Sequence, residues 1–177
     1  RAARSGGTAW ALALDTLLAH EGKGLLLHPF ENYTGGDLGV VQQMLADPAT
    51  VMGLGDAGAH VGLICDGAGP TFLLKHWARD RTRGPHLPLE ALVKKQTHDT
   101  AAVYGLTDRG TLAPGQRADI NVIDFATLDL LPPEVAYDLP TGGRHLLQRA
   151  RGYRHTFVAG TEVLRDDELT GATPGRL

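Results

Sequence analysis

The chain has 177 residues and a formal charge of −3, since 17 lysine and arginine residues face 20 aspartate and glutamate residues, and this balance argues against a protein that binds nucleic acid. Hydrophobic residues make up 42% and charged residues 21%, which excludes a disordered or fibrous chain. A single cysteine allows no internal disulfide, and without an apolar run of about 18 residues the sequence predicts a cytoplasmic protein with no membrane partner.

The first sixty residues alternate between helical and extended patterns. Apolar residues at helical spacing predict a helix over Trp10–His20, with Thr8 as its N-cap. The short apolar run Gly24–Pro29 is typical of a buried strand. A second helix is predicted over Asp37–Ala46, with its first residue as the cap, and a second strand over Val51–Leu54. The order helix, strand, helix, strand indicates an α/β fold.

Two further helices are predicted in the middle of the chain. One covers Pro70–Arg81 and the other runs from Pro88 toward Tyr104, because proline is favoured in the first turn of a helix. The apolar stripe of the first of these helices places Trp77 in the core. It leaves His76 exposed, with no need for a functional role.

The last third of the chain has the sequence pattern of β-strands. Alternating apolar residues predict a strand over Ala118–Ile123, with a phase slip before its last residue and with Ile120 and Val122 buried. The segment Tyr153–Leu164 predicts a hairpin that turns near Ala159-Gly160.

A long connection, Leu128–Arg151, is predicted between these β segments because prolines and glycines interrupt it. The basic stretch Arg144–His155 overlaps its end and includes an aromatic residue, as a nucleic-acid patch would. The overall charge argues against that role. We expect these side chains to be solvated or to contact the acidic residues Asp166–Glu168.

The segment Val51–Gly62, with the sequence VMGLGDAGAHVG, carries the strongest functional signal. It delivers Asp56 at the end of a predicted strand between Gly55 and Ala57, two small residues that leave space for a ligand. Catalytic groups lie at the C-terminal ends of barrel strands. The alternative is an aspartate that only makes a turn, since aspartate and glycine are common in turns.

Four segments follow one another along the chain and read VMGLGDAGAHVG, PTFLLKHWARDR, YGLTDRGTLAPGQRADINVIDF and GYRHTFVAGTEVLRDDELTGATPGRL. In this order they resemble the C-terminal part of the N-acyl-D-amino-acid deacylases, the D-aminoacylase branch of the metal-dependent amidohydrolase superfamily. The resemblance covers nearly the whole chain, and the third and fourth segments are more specific than the aspartate motif.

The resemblance implies an α/β fold, namely the C-terminal fragment of a TIM-type (β/α)8 barrel followed by part of a small β-sandwich. Residues 1–106 would be the last part of the barrel, and residues 107–177 the β-sandwich portion and tail. Such a barrel takes about 250 residues, yet only 55 precede Asp56, so most of the barrel is expected to be missing. The first residues, Arg1–Arg4, resemble no secretory signal and suggest an internal cut.

The resemblance also implies a metal-assisted hydrolysis with Asp56 as general base, then general acid, and as a possible metal ligand. Zinc or another divalent metal is expected in the intact enzyme, but the family's other ligand motifs have no match, so we expect no tight zinc site in this fragment. His60 could orient the substrate, or be only a surface hydrogen-bonding group. Asn32 and Tyr33 could line the site. Cys65 is expected to be a small core residue.

The expected substrate is an N-acyl-D-amino acid, a small molecule whose amide bond is hydrolysed. A second enzyme hypothesis keeps the superfamily and changes the substrate to a cyclic amide or another C–N bond. A hypothesis from another class is a non-catalytic assembly module. The expected protein partner is the remainder of the chain's own barrel or another copy of the chain.

Overall fold

The chain forms two units, Arg1–Val40 and Val41–Leu177, in a computed structural model. The structure describes residues 6–28, 31–53 and 55–175. Within these ranges, all paired strands are antiparallel, and no helix has both the length and the hydrophobicity needed to cross a bilayer. The contacts divide the chain after Val40, and the predicted boundary after residue 106 stays a prediction.

The first unit contains one long helix, α1 (Ala9–Gly22), which confirms the predicted helix. The predicted cap is also confirmed, because the Ala11 N–H donates to Thr8 Oγ1 at 3.1 Å. The helical backbone breaks at Ala19 and the two residues after it. The apolar side chains of α1 are exposed, with Trp10 at 86%.

The strand predicted over Gly24–Pro29 is wrong for the residues that the structure describes. Residues 24–28 have no regular secondary structure, and Leu27 is 93% exposed. Pro29 lies outside the described residues. An apolar run becomes a buried strand only beside strands that pair with it, and none of the described strands pairs with this run.

Helices make up the first part of the second unit and confirm the predicted ones. The predicted cap of α2 is confirmed, since the Gly39 N–H donates to Asp37 Oδ1 at 2.8 Å. The core lies mainly on the later helices, where Trp77 is 2% and Leu92 1% exposed. The elements are α2 (Gly39–Ala46, across the division between the units), α3 (Gly69–Phe72) continued by π-helical turns over Leu73–Asp80, α4 (Leu89–Lys94) continued by π-helical turns over Lys95–Asp99, and α5 (Thr100–Val103).

The strand predicted over Val51–Leu54 is also not formed. Residues 51–53 have no regular secondary structure, and Leu54 lies outside the described residues. The buried side chain of Lys95, 8% exposed, binds the backbone of the turn that ends at Thr50, just before residue 51. Its Nζ donates to Asp47 O at 2.9 Å and to Thr50 O at 2.5 Å. These carbonyl groups are satisfied by a side chain rather than by a neighbouring strand.

The β part of the second unit is one long antiparallel ribbon of nested pairs. The predicted long connection is therefore wrong, since it contains the two inner pairs and begins with Leu128, which is fully buried. The pairs from the outside inward are β1 (Ile120–Ile123) with β6 (Tyr153–Val158), β2 (Asp129–Leu130) with β5 (Ala150–Arg151), and β3 (Glu134–Ala136) with β4 (His145–Leu147).

The predicted strand over Ala118–Ile123 is confirmed as β1, and its phase slip coincides with a shift of the pairing register between Val122 and Ile123. The predicted burial is wrong: Val122 is 44% exposed and Ile120 is half-buried. The reason is that β1 lies at the edge of the four-stranded sheet β1-β6-β7-β8, where β7 is Thr161–Arg165 and β8 is Glu168–Leu169.

The predicted hairpin is confirmed as β6 and β7. Its turn is Ala159-Gly160, and both residues have positive φ, 50° and 78°. Such a turn matches the twist of the strands that it joins.

Candidate functional site

Asp56 lies on an exposed loop. The loop, residues 55–67, has no strand, and Asp56 is exposed. Its carbonyl accepts the Ala59 N–H at 3.0 Å, so the residue also makes a turn. The predicted position at the end of a strand is wrong for the described residues 51–53, and the expectation that Asp56 faces a cavity stays a prediction. A groove of about 420 Å³ in this unit is lined by the end of α2 and by α4 with its flanking residues.

The small residues around Asp56 serve close packing within the loop. A Cβ on Gly55 would lie 2.9 Å from the backbone oxygen of Asp66, so only glycine fits there. A Cβ on Gly67 would lie 3.5 Å from the Cβ of Ala57. The two ends of the loop are therefore in contact at the residues that flank Asp56. The space that was predicted for a ligand is filled on the Gly55 side by Asp66.

His60 lies on the same loop and is exposed, with a positive φ of 44°. Its carbonyl accepts the N–H groups of Leu63 and Ile64 at 2.7 and 3.1 Å. The next residue, Val61, accepts the N–H of Leu146 in β4 at 2.7 Å. The loop is thus joined to the β ribbon through its backbone, and a role of His60 in the site stays a prediction.

Asn32 and Tyr33 lie in the first unit, whereas Asp56 and His60 lie in the second. Asn32 is exposed with a φ of 58°, and the Tyr33 carbonyl accepts the Gly36 N–H at 2.9 Å. These two residues share a loop, and their role in lining a site stays a prediction.

The described residues do not form a metal centre by themselves. No three of their histidine, cysteine, aspartate or glutamate side chains are grouped so that they could hold a metal ion. A catalytic zinc usually takes three protein ligands, and Asp56 alone does not fit that requirement.

Cys65 is half-buried, and burial, with a smaller effect of Asp66, raises the pKa of its thiol. The thiol is therefore protonated at neutral pH.

Sequence reasoning missed how the helix after the Asp56 loop is fixed to the β ribbon. Arg79 donates to the carbonyls of Phe125, Ala126 and Leu128, the last two at 3.1 and 2.6 Å. Arg79, and after it Lys75, lowers the pKa of Asp80.

At the start of the same helix, Thr71 Oγ1 lies 2.7 Å from the hydroxyl of Tyr153. The carboxylate of Asp167 accepts the N–H groups of Gly152 and Tyr153 at 3.0 and 2.7 Å. These residues lie in the second and fourth of the segments that resemble the deacylases, which is the signal that could have found them.

The basic stretch is paired with acidic residues of the same chain. The predicted contact with the acidic tail is confirmed, because Arg154 lies 3.4 Å from Asp166. Further pairs run along the ribbon at 3.0 to 3.3 Å: Arg149 with Glu134, Arg151 with Asp129 and Arg154 with Asp124.

Residues 7–164 match the profile described as the Amidohydrolase family, which is most of the chain. The chain belongs to the amidohydrolase family. The D-aminoacylase of Alcaligenes xylosoxydans xylosoxydans is 36% identical over 105 residues, 59% of this chain and 19% of that protein. The N-acyl-D-glutamate deacylase of the same organism is 39% identical over 77 residues, 44% of this chain and 14% of that protein.

Solved structures of D-aminoacylase are 34% identical to this amidohydrolase chain and cover 58% of it and 19% of their own length, with a TM-score of 0.42. One of them describes a binuclear metal centre in D-aminoacylase. The predicted resemblance to the D-aminoacylase branch is confirmed by the family match and by the sequence identity to D-aminoacylase. The chain spans about a fifth of the length of D-aminoacylase.

Proposed function

We propose that this chain is the C-terminal part of a metal-dependent amidohydrolase that hydrolyses the N-acyl amide bond of N-acyl-D-amino acids. The observation that carries the proposal is the 36% identity to a D-aminoacylase over 105 residues. We also propose that residues 1–106 belong to the last part of a TIM-type barrel and residues 107–177 to its β-sandwich.

In the proposed reaction, Asp56 takes a proton from the water that attacks the amide carbonyl. It then delivers that proton to the leaving amine nitrogen as the C–N bond breaks. An exposed carboxylate on a loop suits this role because both the water and the substrate can reach it. The described residues do not build a metal centre, so the proposal places the ligands of the zinc or other divalent metal mostly outside this chain.

The other proposed site residues are His60, Asn32 and Tyr33. His60 shares the loop of Asp56, and its ring can donate or accept a hydrogen bond to the substrate. Asn32 offers an amide and Tyr33 a hydroxyl group, which suit the carboxylate and the acyl oxygen of the substrate.

The test uses the complete enzyme with Asp56→Asn, which keeps the side-chain shape and removes the basic oxygen. Turnover of N-acyl-D-amino acids is expected to fall by at least about 10²-fold, the lower end of general-base contributions. The matched control is Asp15→Asn, at an exposed aspartate of α1, which should leave turnover unchanged.

Each assay also includes N-acyl-L-amino acids and a cyclic amide as alternative substrates. Unchanged turnover in Asp56→Asn would remove Asp56 from the reaction. Preference for the cyclic amide would favour the second enzyme hypothesis. An enzyme that hydrolyses none of these amides would contradict the proposed activity and favour an assembly module.

A further inference from the structure

The two neighbours of Asp56, Gly55 and Ala57, pack against residues 66–67, which lead into α3. Gly55 packs on the backbone of Asp66, and Ala57 lies beside Gly67. The position of the Asp56 backbone is therefore coupled to the position of residues 66–67. Any group that fixes those residues also limits where the carboxylate can lie.

Residues 66–67 are joined directly to the first turn of α3, and that turn is held by one tyrosine. The Gly69 N–H donates to Asp66 O at 3.3 Å. Thr71, which is 5% exposed, has its Oγ1 2.7 Å from the hydroxyl of Tyr153. Asp167 accepts the backbone N–H of Tyr153 at 2.7 Å, so the tyrosine is itself fixed.

We propose that Tyr153 is a positioning residue for Asp56. Its hydroxyl fixes Thr71, and with it the segment on which Gly55 and Ala57 pack. The inference rests on the proposed function, since it takes Asp56 as the proton-transfer group. Proton transfer requires the carboxylate within hydrogen-bond reach of the reacting atoms, and a displacement of about 1 Å lowers the rate strongly. Loss of the hydroxyl should therefore lower kcat more than it changes KM.

The experiment is a double-mutant cycle in the complete enzyme with Tyr153→Phe and Thr71→Val, which remove the two hydroxyl groups and keep the side-chain shapes. Each single variant is expected to lower kcat by about 3- to 10-fold, the range for one neutral hydrogen bond, with KM changed less than twofold. The double variant should be no slower than the slower single variant, because both substitutions remove the same contact. Tyr104→Phe, at a tyrosine that is 68% exposed, is the matched control and should leave kcat unchanged.

A second readout does not depend on activity. The Ala59 N–H, which donates to Asp56 O at 3.0 Å, should exchange with solvent faster in Tyr153→Phe and Thr71→Val and not in Tyr104→Phe. The inference is overturned if kcat is unchanged in Tyr153→Phe, if the two losses multiply in the double variant, or if only the melting temperature falls.

The two proposals fail in different ways. If Asp56→Asn abolishes turnover while Tyr153→Phe retains it, the positioning role is wrong and the proposed function stands. If Asp56→Asn retains turnover, the proposed role of Asp56 is wrong, and the positioning role that depends on it is wrong as well.

Discussion

Among single residues, Glu162 on β7 links the stability of the four-stranded sheet to pH. Arg165 donates to this carboxylate from Nε at 3.0 and 3.1 Å, and His155 Nδ1 lies 2.6 Å from it. Arg165, and after it His155, lowers the pKa of Glu162 from its ordinary 4.5 to about 2. Because the folded pKa lies below the unfolded one, the carboxylate stabilises the folded state above pH 4.5, and this contribution is lost as the pH falls toward 2.

We therefore expect Glu162→Gln to lower the melting temperature of the complete enzyme at pH 6, and the difference from the wild type to disappear as the pH approaches 2. Thermal unfolding followed by circular dichroism across this pH range measures both effects. Glu168→Gln, at an exposed glutamate on β8, is the control. A difference that stays constant down to pH 2 would show that Glu162 acts through packing rather than through its charge.

The candidate site was only partly predictable at the level of residues. Asp56 could be proposed because small residues surround it and because its segment is one of the four that resemble the deacylases. Its surroundings could not, because the contact that fixes the segment beneath it joins Thr71 and Tyr153, which are 82 positions apart. No local pattern connects a threonine in the first turn of a helix with a tyrosine at the start of a strand.

Among the elements, the β6–β7 hairpin has a turn that its sequence does not favour fully. Ala159 has a φ of 50°, a region that costs an L-residue other than glycine about 1 kcal/mol. Asparagine tolerates this region, and Asn-Gly is the preferred pair for such turns. We expect Ala159→Asn to raise the free energy of unfolding by up to about 1 kcal/mol, as measured by urea unfolding.

The control for this prediction is Gly160→Ala, at the second turn position, where φ is 78°. It should lower the free energy of unfolding, since alanine then has to adopt the unfavourable region. If Ala159→Asn destabilises the protein, the turn has another geometry in solution.

The helices were predictable because their signals are local. Thr8 caps α1 through a contact within one turn, and Pro88 marks the start of α4. The strands predicted over Gly24–Pro29 and Val51–Leu54 are not formed by their described residues, because an apolar run does not show whether a pairing strand lies beside it. The inner pairs of the ribbon were missed for a different reason. Strands of two or three residues, such as β2 and β3, are too short to show alternation.

For the whole molecule, we expect residues 1–177 purified alone to hold no tight zinc and to show no deacylase turnover. The described residues offer no group of three metal ligands, and a catalytic zinc usually needs three. The exposed apolar side chains of α1 should also make the isolated chain aggregate.

Metal analysis, light scattering and a deacylation assay on N-acyl-D-amino acids test this expectation on a sample whose mass is verified as these residues alone. The complete enzyme, assayed in parallel, is the control. Stoichiometric zinc together with turnover in the short chain would show that the site lies within these residues after all.

The nesting of the β ribbon has a consequence for how quickly it assembles. The inner pair, β3 with β4, encloses only residues 137–144, and each outer pair then has to close only the few residues between it and the pair already formed. The entropic cost of closing a loop rises with its length, so the strand pairs of the ribbon are expected to form in order from the innermost pair outward. Although β1 and β6 are far apart in sequence, only a short loop has to close when they pair. This part of the chain should therefore fold faster than the sequence separation of its paired strands suggests.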